Sequence, residues 1–323
     1  MSTVSDQVAL QQDARRTTKK ETSSDLMRTQ RIWGWIFLSP WIIGILAFTV
    51  IPIVASLGFS FTNFELNKPD QVEFVGLANY VKLFNDPLVG VAIKVTLRFA
   101  ALALPLAIIL PIALAALLNN KNLKAKRIFR TLFYMPFIVP VVSAVYIWGG
   151  MLNSQTGWFN RALAIIGVNG PNWLDSQVWI YPALVIIGLW GLGNSYLITL
   201  AAMQAVPTEL YEAATVDGAG AFGRFRHVTF PMISPVVFYN LVLAVIGLFR
   251  YFEIPFVLKG SEGFPGQSTW FFNIHFFRTT FGFLDMGYGS TLAWLLFAMT
   301  MAATLILFRT ARYWVFYSSG EMF

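Results

Sequence analysis

Not one of the 323 residues is a cysteine, which excludes a disulfide framework, thiol chemistry and any cysteine-based metal site. Histidine is almost as scarce. His227 and His275 stand alone without a neighbour at ligand spacing, and both read as surface or interface residues. No Gly-x4-Gly-Lys-Ser/Thr run is present, so the chain does not cradle ATP phosphates itself. A serine nucleophile elbow and a metal-ligand helix are missing too. These absences leave no constellation for catalysis, and the expectation is a chain that is not an enzyme and binds no metal or cofactor of its own.

Charge is the next scarcity. Asp, Glu, Lys and Arg make up 12% of the chain against 56% hydrophobic residues, an imbalance that a soluble domain does not need. The charges are also unevenly spread. Six runs contain none of the four charged types: 32–64, 99–120, 131–160, 176–208, 227–249 and 286–308. Each supplies the ~20 apolar residues that cross ~30 Å of hydrocarbon, and none is long enough to cross twice with a turn. The fold class that follows is all-α, a polytopic membrane protein with six transmembrane helices.

The net charge of +7 could suggest a nucleic-acid partner, but the bases sit elsewhere. Arg15, Arg16, Lys19, Lys20, Arg28 and Arg31 precede the first span. Lys121, Lys124, Lys126, Arg127 and Arg130 lie between spans two and three, Arg224 and Arg226 between four and five, and Arg309 and Arg312 after six. The opposite side carries only Lys68, Lys82, Arg161, Lys259 and Arg278. This positive-inside bias predicts that both termini and the 209–231 loop are cytoplasmic, and it leaves no role for nucleic acid.

Residues 1–30, polar and nearly free of aromatics, are expected to be a disordered cytoplasmic tail rather than a signal peptide. Residues 31–323 form the transmembrane domain, with a core at 92–310. The first span, about 32–60, is expected to be broken by Pro40 and Pro52. The others fall at about 92–118, 131–152 (with Pro136 and Pro140), 178–203, 232–257 and 286–308. Arg250 and Glu253, three apart on the fifth, are expected to share a helical face and can pair. Two readings stay open for them, a site for sugar hydroxyls or a structural ion pair. Asn194, Asn240, Tyr146, Trp190 and Tyr196 add neutral donors and aromatic surfaces inside spans, suited as a set to a polar, uncharged solute and individually to interhelical packing.

The densest signal is the polar island 209–231. Glu209 to Ala214 reads as a helix start, with Pro207 and Thr208 as entry and cap. Gly218, Gly220 and Gly223 break that helix, and a short amphipathic segment, Phe222 to Phe230, is expected to end at Pro231. Such a helix-turn-helix would expose Ala213 and Ala214 as a flat patch that a partner backbone can approach. With Glu212-Ala213-Ala214, Asp217, Gly218, Val228 and Pro231 at these offsets, the segment resembles the EAA loop of binding-protein-dependent ABC importers. Val228 stands for the usual Ile and Phe230 for the usual Leu. Further elements resemble carbohydrate permeases of the maltose and glycerol-phosphate type: Phe74-Val75-Gly76-Leu77-Ala78-Asn79-Tyr80, Trp173-Leu174, Pro207, Phe249, Phe252 and Gly287-Tyr288-Gly289-Ser290. Arg250, Glu253 and the Lys259–Gly263 run depart from that pattern.

The resemblance implies a type I importer: a second homologous permease subunit, two ABC ATPase subunits that carry the ATP-Mg, an extracytoplasmic solute-binding protein and surrounding membrane lipid. It places the chain in a bacterial or archaeal cytoplasmic membrane. It makes the 209–231 loop the handle on the ATPase, through Glu212, Ala213, Ala214, Asp217, Gly218 and Pro231. The implied cargo is a sugar, with Tyr146, Trp190, Asn194, Asn240, Arg250 and Glu253 as candidates along its path. Glycerol phosphate or another small polar solute is the alternative cargo. An ion-coupled secondary transporter would want more buried acids than Glu253, and a non-transporting scaffold would need no coupling loop.

Overall fold

A computed structural model of the chain describes residues 27–120 and 122–317, and among them the regular structure is helical, with only two isolated β-bridges. Of the expected tail, residues 1–26 lie outside the described residues. The chain divides into two compact units, Met1–Gly58 and Phe59–Phe323.

The described part of the first unit is one helix, α1 (Met27–Phe59, its last residue counted in the second unit), with a single wide turn at Leu46–Val50. Pro52 was expected to break it. In a regular helix the Pro52 ring would strike the carbonyl of Phe48, four residues back. The turn at Leu46–Val50 hydrogen-bonds five residues back instead, with the Ile51 N–H on the Leu46 carbonyl, and the helix continues.

The second unit is built on α3 (Pro87–Asn119), which follows the short α2 (Ala78–Asn85) and is capped by Asp86, whose side chain accepts the Leu88 N–H at 2.8 Å. Then come α4 (Lys126–Ile138), α5 (Val141–Met151), α6 (Trp158–Ile165), α7 (Ile180–Trp190), α8 (Gly193–Gln204), α9 (Thr208–Val216) and α10 (Ala221–Arg224). After a wide turn at Phe225–Thr229 follow α11 (Phe230–Phe249), α12 (Glu253–Lys259), α13 (Phe272–Phe277) and α14 (Met286–Ala311).

Six spans are present only if two of them are counted as bent pairs. Among the described residues four helical stretches are long and apolar enough to cross a membrane alone, while α4–α5 turns by 103° and α7–α8 by 57° at short breaks. The third span, expected at about 131–152, is therefore two helices that meet at Val139 and Pro140. Pro140 cannot donate to the helix before it, and it forces Val139 into an extended conformation with ψ 129°. The fifth span also differs, because residues 250–252 are non-helical and separate α11 from α12.

One half of α3 packs Val95, Phe99 and Ala103 against Ile180 and Leu184 of α7 and Ile274 of α13. Its other half packs Ala115 and Leu118 against Tyr196, Leu200 and Met203 of α8 and Ile233 and Val237 of α11. The start of α8 lies directly on α4. A Cβ at Gly193 would come within 2.9 Å of Phe137 Cβ and 3.1 Å of Tyr134 Cα, so only glycine allows that approach. Thr96 Oγ1 accepts the Phe272 N–H at 3.1 Å and ties α13 to the scaffold.

Candidate coupling loop and transport path

The 209–231 island folds as a helical hairpin whose two halves are pinned together. Glu209 lies in the first turn of α9, where its charge suits the helix dipole. Pro207, not Thr208, occupies the cap position, and no side chain caps the helix. At the other end Ala219 N–H bonds the Ala214 carbonyl (2.9 Å) and Gly218 N–H the Thr215 carbonyl (3.0 Å), with Gly218 at φ +76°. This paired closure with a left-handed residue is a Schellman motif, and it is the local reason for a glycine there. Gly220 instead precedes α10, and Gly223 lies within it, so neither breaks α9.

Pro231 does not end a segment. It sits in the first turn of α11, and the wide turn at Phe225–Thr229 clears its ring from the His227 carbonyl, the same device that α1 uses at Pro52. The second half of the hairpin is thus continuous with a span. Two contacts join it to α9: Tyr211 Oη to Thr229 Oγ1 at 3.0 Å, and Arg224 Nη1 donating to Thr215 Oγ1 at 2.9 Å. Glu212, Ala213, Asp217 and Gly218 are exposed, but Ala214 is half-buried, so the expected two-alanine patch is narrower. Val216 (89% exposed) and Phe222 (75%) form an apolar tip that sequence reasoning missed. Between this hairpin, the end of α3 and the start of α4 lies a cavity of about 1130 Å³, lined by Asn119, Lys126, Gln204, Glu212 and Arg224 among others.

At the far end of the spans, Arg250 and Glu253 do not share a helical face. Arg250 ends α11 and Glu253 starts α12, and no ion pair joins them among the described residues. Both line one cavity of about 410 Å³, together with Val141 beside the α4–α5 bend, Asn273, Phe276 and Phe277. A second cavity, about 190 Å³ and apolar, runs between α3, α7 and α11 past Gly188 and Leu192 at the α7–α8 bend. Gly247 and Tyr251 border both. The breaks were unreadable from hydropathy, and with them this pair of cavities.

The remaining candidates scatter. Asn194 and Tyr146 are exposed, and Trp190 meets Trp148 edge-on at 6.0 Å. Asn240 donates to Thr199 Oγ1 at 3.2 Å, a link between α11 and α8. Tyr196 is fully buried and donates to the Arg130 carbonyl at 2.5 Å, so it holds α8 on α4 and offers no open aromatic surface. Three of the motif elements outside the hairpin make hydrogen bonds between segments. The Asn79 amide donates to the Ser60 and Thr62 carbonyls, Trp173 Nε1 donates to Asn160 Oδ1 at 2.7 Å, and Tyr288 Oη donates to Asp86 Oδ2 at 2.8 Å.

His275, expected at a surface, is buried with Nε2 3.3 Å from the same Asp86 oxygen. Burial pushes its pKa below the ordinary histidine value, while Asp86 pulls the other way. The 189-residue separation of these two side chains hid the contact from sequence reading.

The helices, bends and hairpin are those of a multi-pass membrane protein with a helical hairpin between two of its spans. Residues 103–316 match the family described as binding-protein-dependent transport system inner membrane component, and the chain belongs to that family. It is 35% identical over 297 residues to the probable ABC transporter permease protein YesP of Bacillus subtilis, covering 91% of this chain and 95% of that protein. It is 32% identical to the trehalose/maltose transport system permease protein MalF of Thermococcus litoralis, covering 87% and 94%. The lactose transport system permease protein LacF of Rhizobium radiobacter is 30% identical, covering 90% and 97%. Among solved structures, a bacterial alginate ABC transporter in complex with alginate pentasaccharide-bound periplasmic protein superposes with TM-score 0.75 at 22% identity, covering 88% of this chain and 95% of that one. That likeness is one of fold.

Proposed function

We propose that this chain is a membrane-spanning permease subunit of an ATP-driven importer that moves a sugar, mono- or oligosaccharide, delivered by an extracytoplasmic binding protein. The observation that carries the reading is the 209–231 hairpin: cross-tied, exposed and continuous with a span, in a chain of the binding-protein-dependent family. Energy comes from two ATPase subunits holding Mg-ATP, and a second homologous permease completes the pore. The ATPases grip Glu212, Ala213 and the neighbouring apolar tip. Their closure moves the hairpin as a lever and switches access to the path, a coupling of distant sites through a two-state element. Relatives named for trehalose/maltose, lactose and arabinooligosaccharides support a sugar cargo.

The path runs through the two cavities bordered by Gly247 and Tyr251. Interrupted helices within a membrane are tolerated where they line a cavity, and Val141 after the first break, Leu192 in the second and residues 250–252 in the third line these two. Arg250 donates to sugar hydroxyls and Glu253 accepts from them, while Phe276 and Phe277 offer apolar faces for ring C–H groups.

The test is purification in mild detergent followed by reconstitution. Two ATPase copies and one homologous permease should co-purify, and ATP should drive uptake from a panel of trehalose, maltose, lactose, an arabinooligosaccharide and an alginate oligosaccharide. Recovery of the chain alone, with ion-gradient-driven uptake, refutes the reading. Reporters fused at the C-terminus and inserted near Asp70 check sidedness. The first should be active only as a cytoplasmic reporter and the second only as an external one.

A further inference from the structure

Three buried polar side-chain atoms, Arg130 Nε, Tyr251 Oη and Trp270 Nε1, lack a hydrogen-bond partner among the described residues, and a fourth, His275 Nε2, has only the Asp86 oxygen at 3.3 Å. An unpartnered buried group lowers stability, and such groups persist where function uses them. Only Tyr251 of the four also borders the cavities assigned to the transport path. Its ring is firmly held, stacked on Phe99 with centroids 4.5 Å apart and edge-on to Phe271 at 5.0 Å. A phenylalanine would make both ring contacts equally well. The hydroxyl therefore adds nothing to the packing and costs stability in this conformation.

We propose that the Tyr251 hydroxyl is a substrate contact, bonding one hydroxyl of the sugar at the junction of the two cavities. The assignment rests on the sugar-importer reading above and names a residue that the sequence pattern did not single out. In this conformation the oxygen is sealed from water. Two features next to it provide the opening. Residues 250–252 are non-helical, so the end of α11 and the start of α12 can change their relative direction by a few dihedral rotations. Gly247, in the last turn of α11, borders the same two cavities as Tyr251 and has open space where a side chain would stand, so no side chain from that position fills the passage beside the tyrosine. A hydroxyl that is unsatisfied when the path is empty and satisfied when it is filled favours the loaded state. It also disfavours a sugar that lacks the matching hydroxyl, because the tyrosine oxygen then stays unpaired.

The experiment uses the assembled transporter in proteoliposomes with its binding protein and internal ATP. It measures uptake of the panel sugar transported fastest and of that sugar's monodeoxy analogues, for wild type and Tyr251→Phe. Tyr251→Phe should lower kcat/KM for the parent sugar about tenfold, the size of one neutral hydrogen bond. The wild type should discriminate against one monodeoxy analogue by a similar factor, and Tyr251→Phe should treat that analogue and the parent alike. The empty variant should melt at or above the wild-type temperature, whereas a hydroxyl with a structural partner would lower it. If Tyr251→Phe handles every analogue as wild type does, or melts lower, the contact is refuted and the importer reading stands. If the wild-type assembly moves no sugar at all, the importer reading falls and takes the contact with it.

Discussion

Gly218 shows how much of the loop's geometry rests on one residue. At φ +76° it closes α9, and a Cβ there would meet nothing within 4 Å, so the strain from any side chain is in the backbone and not in a clash. Asn tolerates the left-handed region far better than β-branched residues. Gly218→Asn should therefore keep most uptake. Gly218→Val should destabilise the closure by ~1–2 kcal/mol and abolish ATP-driven uptake, with membrane insertion unchanged. Proteoliposome uptake beside quantified insertion checks the ranking, and equal uptake by both variants would remove the closure from the coupling. His275 makes a pH prediction at the same scale. Its pKa in the folded chain is depressed, so between the ordinary histidine value near 6.5 and that lower value the folded state binds fewer protons than the unfolded chain. Stability is full above the ordinary value and is lost as pH falls through the folded pKa. Melting curves from pH 7.5 to 5 should show the fall, and His275→Gln should flatten it.

At the scale of elements, proline was visible in the sequence but its effect was not. Pro105, Pro111, Pro136 and Pro235 pass inside helices, Pro52 and Pro231 are accommodated by wide turns, and Pro140 bends a span. The difference lies in whether the preceding turn can widen and what packs against it, which depends on tertiary neighbours. The 3.6-residue period likewise placed Arg250 and Glu253 on one face, but it assumed a helix through 250–252 that does not exist. The hairpin was legible because glycine, proline and acid positions are local signals. Its cross-ties were not, because Tyr211–Thr229 and Thr215–Arg224 join residues that only the folded turn brings together. Those ties make a strong prediction. Thr215→Val combined with Tyr211→Phe removes both, at ~1 kcal/mol each, and leaves α9 free to move relative to α10 and α11. ATP hydrolysis stimulated by loaded binding protein should continue while uptake per ATP falls. An unchanged ratio would show that the hairpin does not act as a lever.

For the molecule as a whole, six apolar runs fixed the class because bilayer thickness sets a length no soluble core requires. They could not reveal a path, since cavities arise where helices fail to be straight. Gly247 connects the two levels. It borders both cavities, and a Cβ there would meet nothing within 4 Å, so the backbone has room for a side chain that extends into the passage. Gly247→Leu should leave stability within ~1 kcal/mol of wild type, since leucine also removes a helix-interior glycine. The assembly should still form and hydrolyse ATP in response to loaded binding protein. Uptake should fall most for the largest sugars of the panel and least for the smallest, because leucine takes up space in the passage and leaves its polar groups in place. Gly247→Ala, with one added carbon, should show a weaker version of the same size ranking. If Gly247→Leu moves every panel sugar at the wild-type rate, the cargo travels elsewhere and the two cavities are gaps between helices, whereas equal loss across all sizes points to a blocked conformational change.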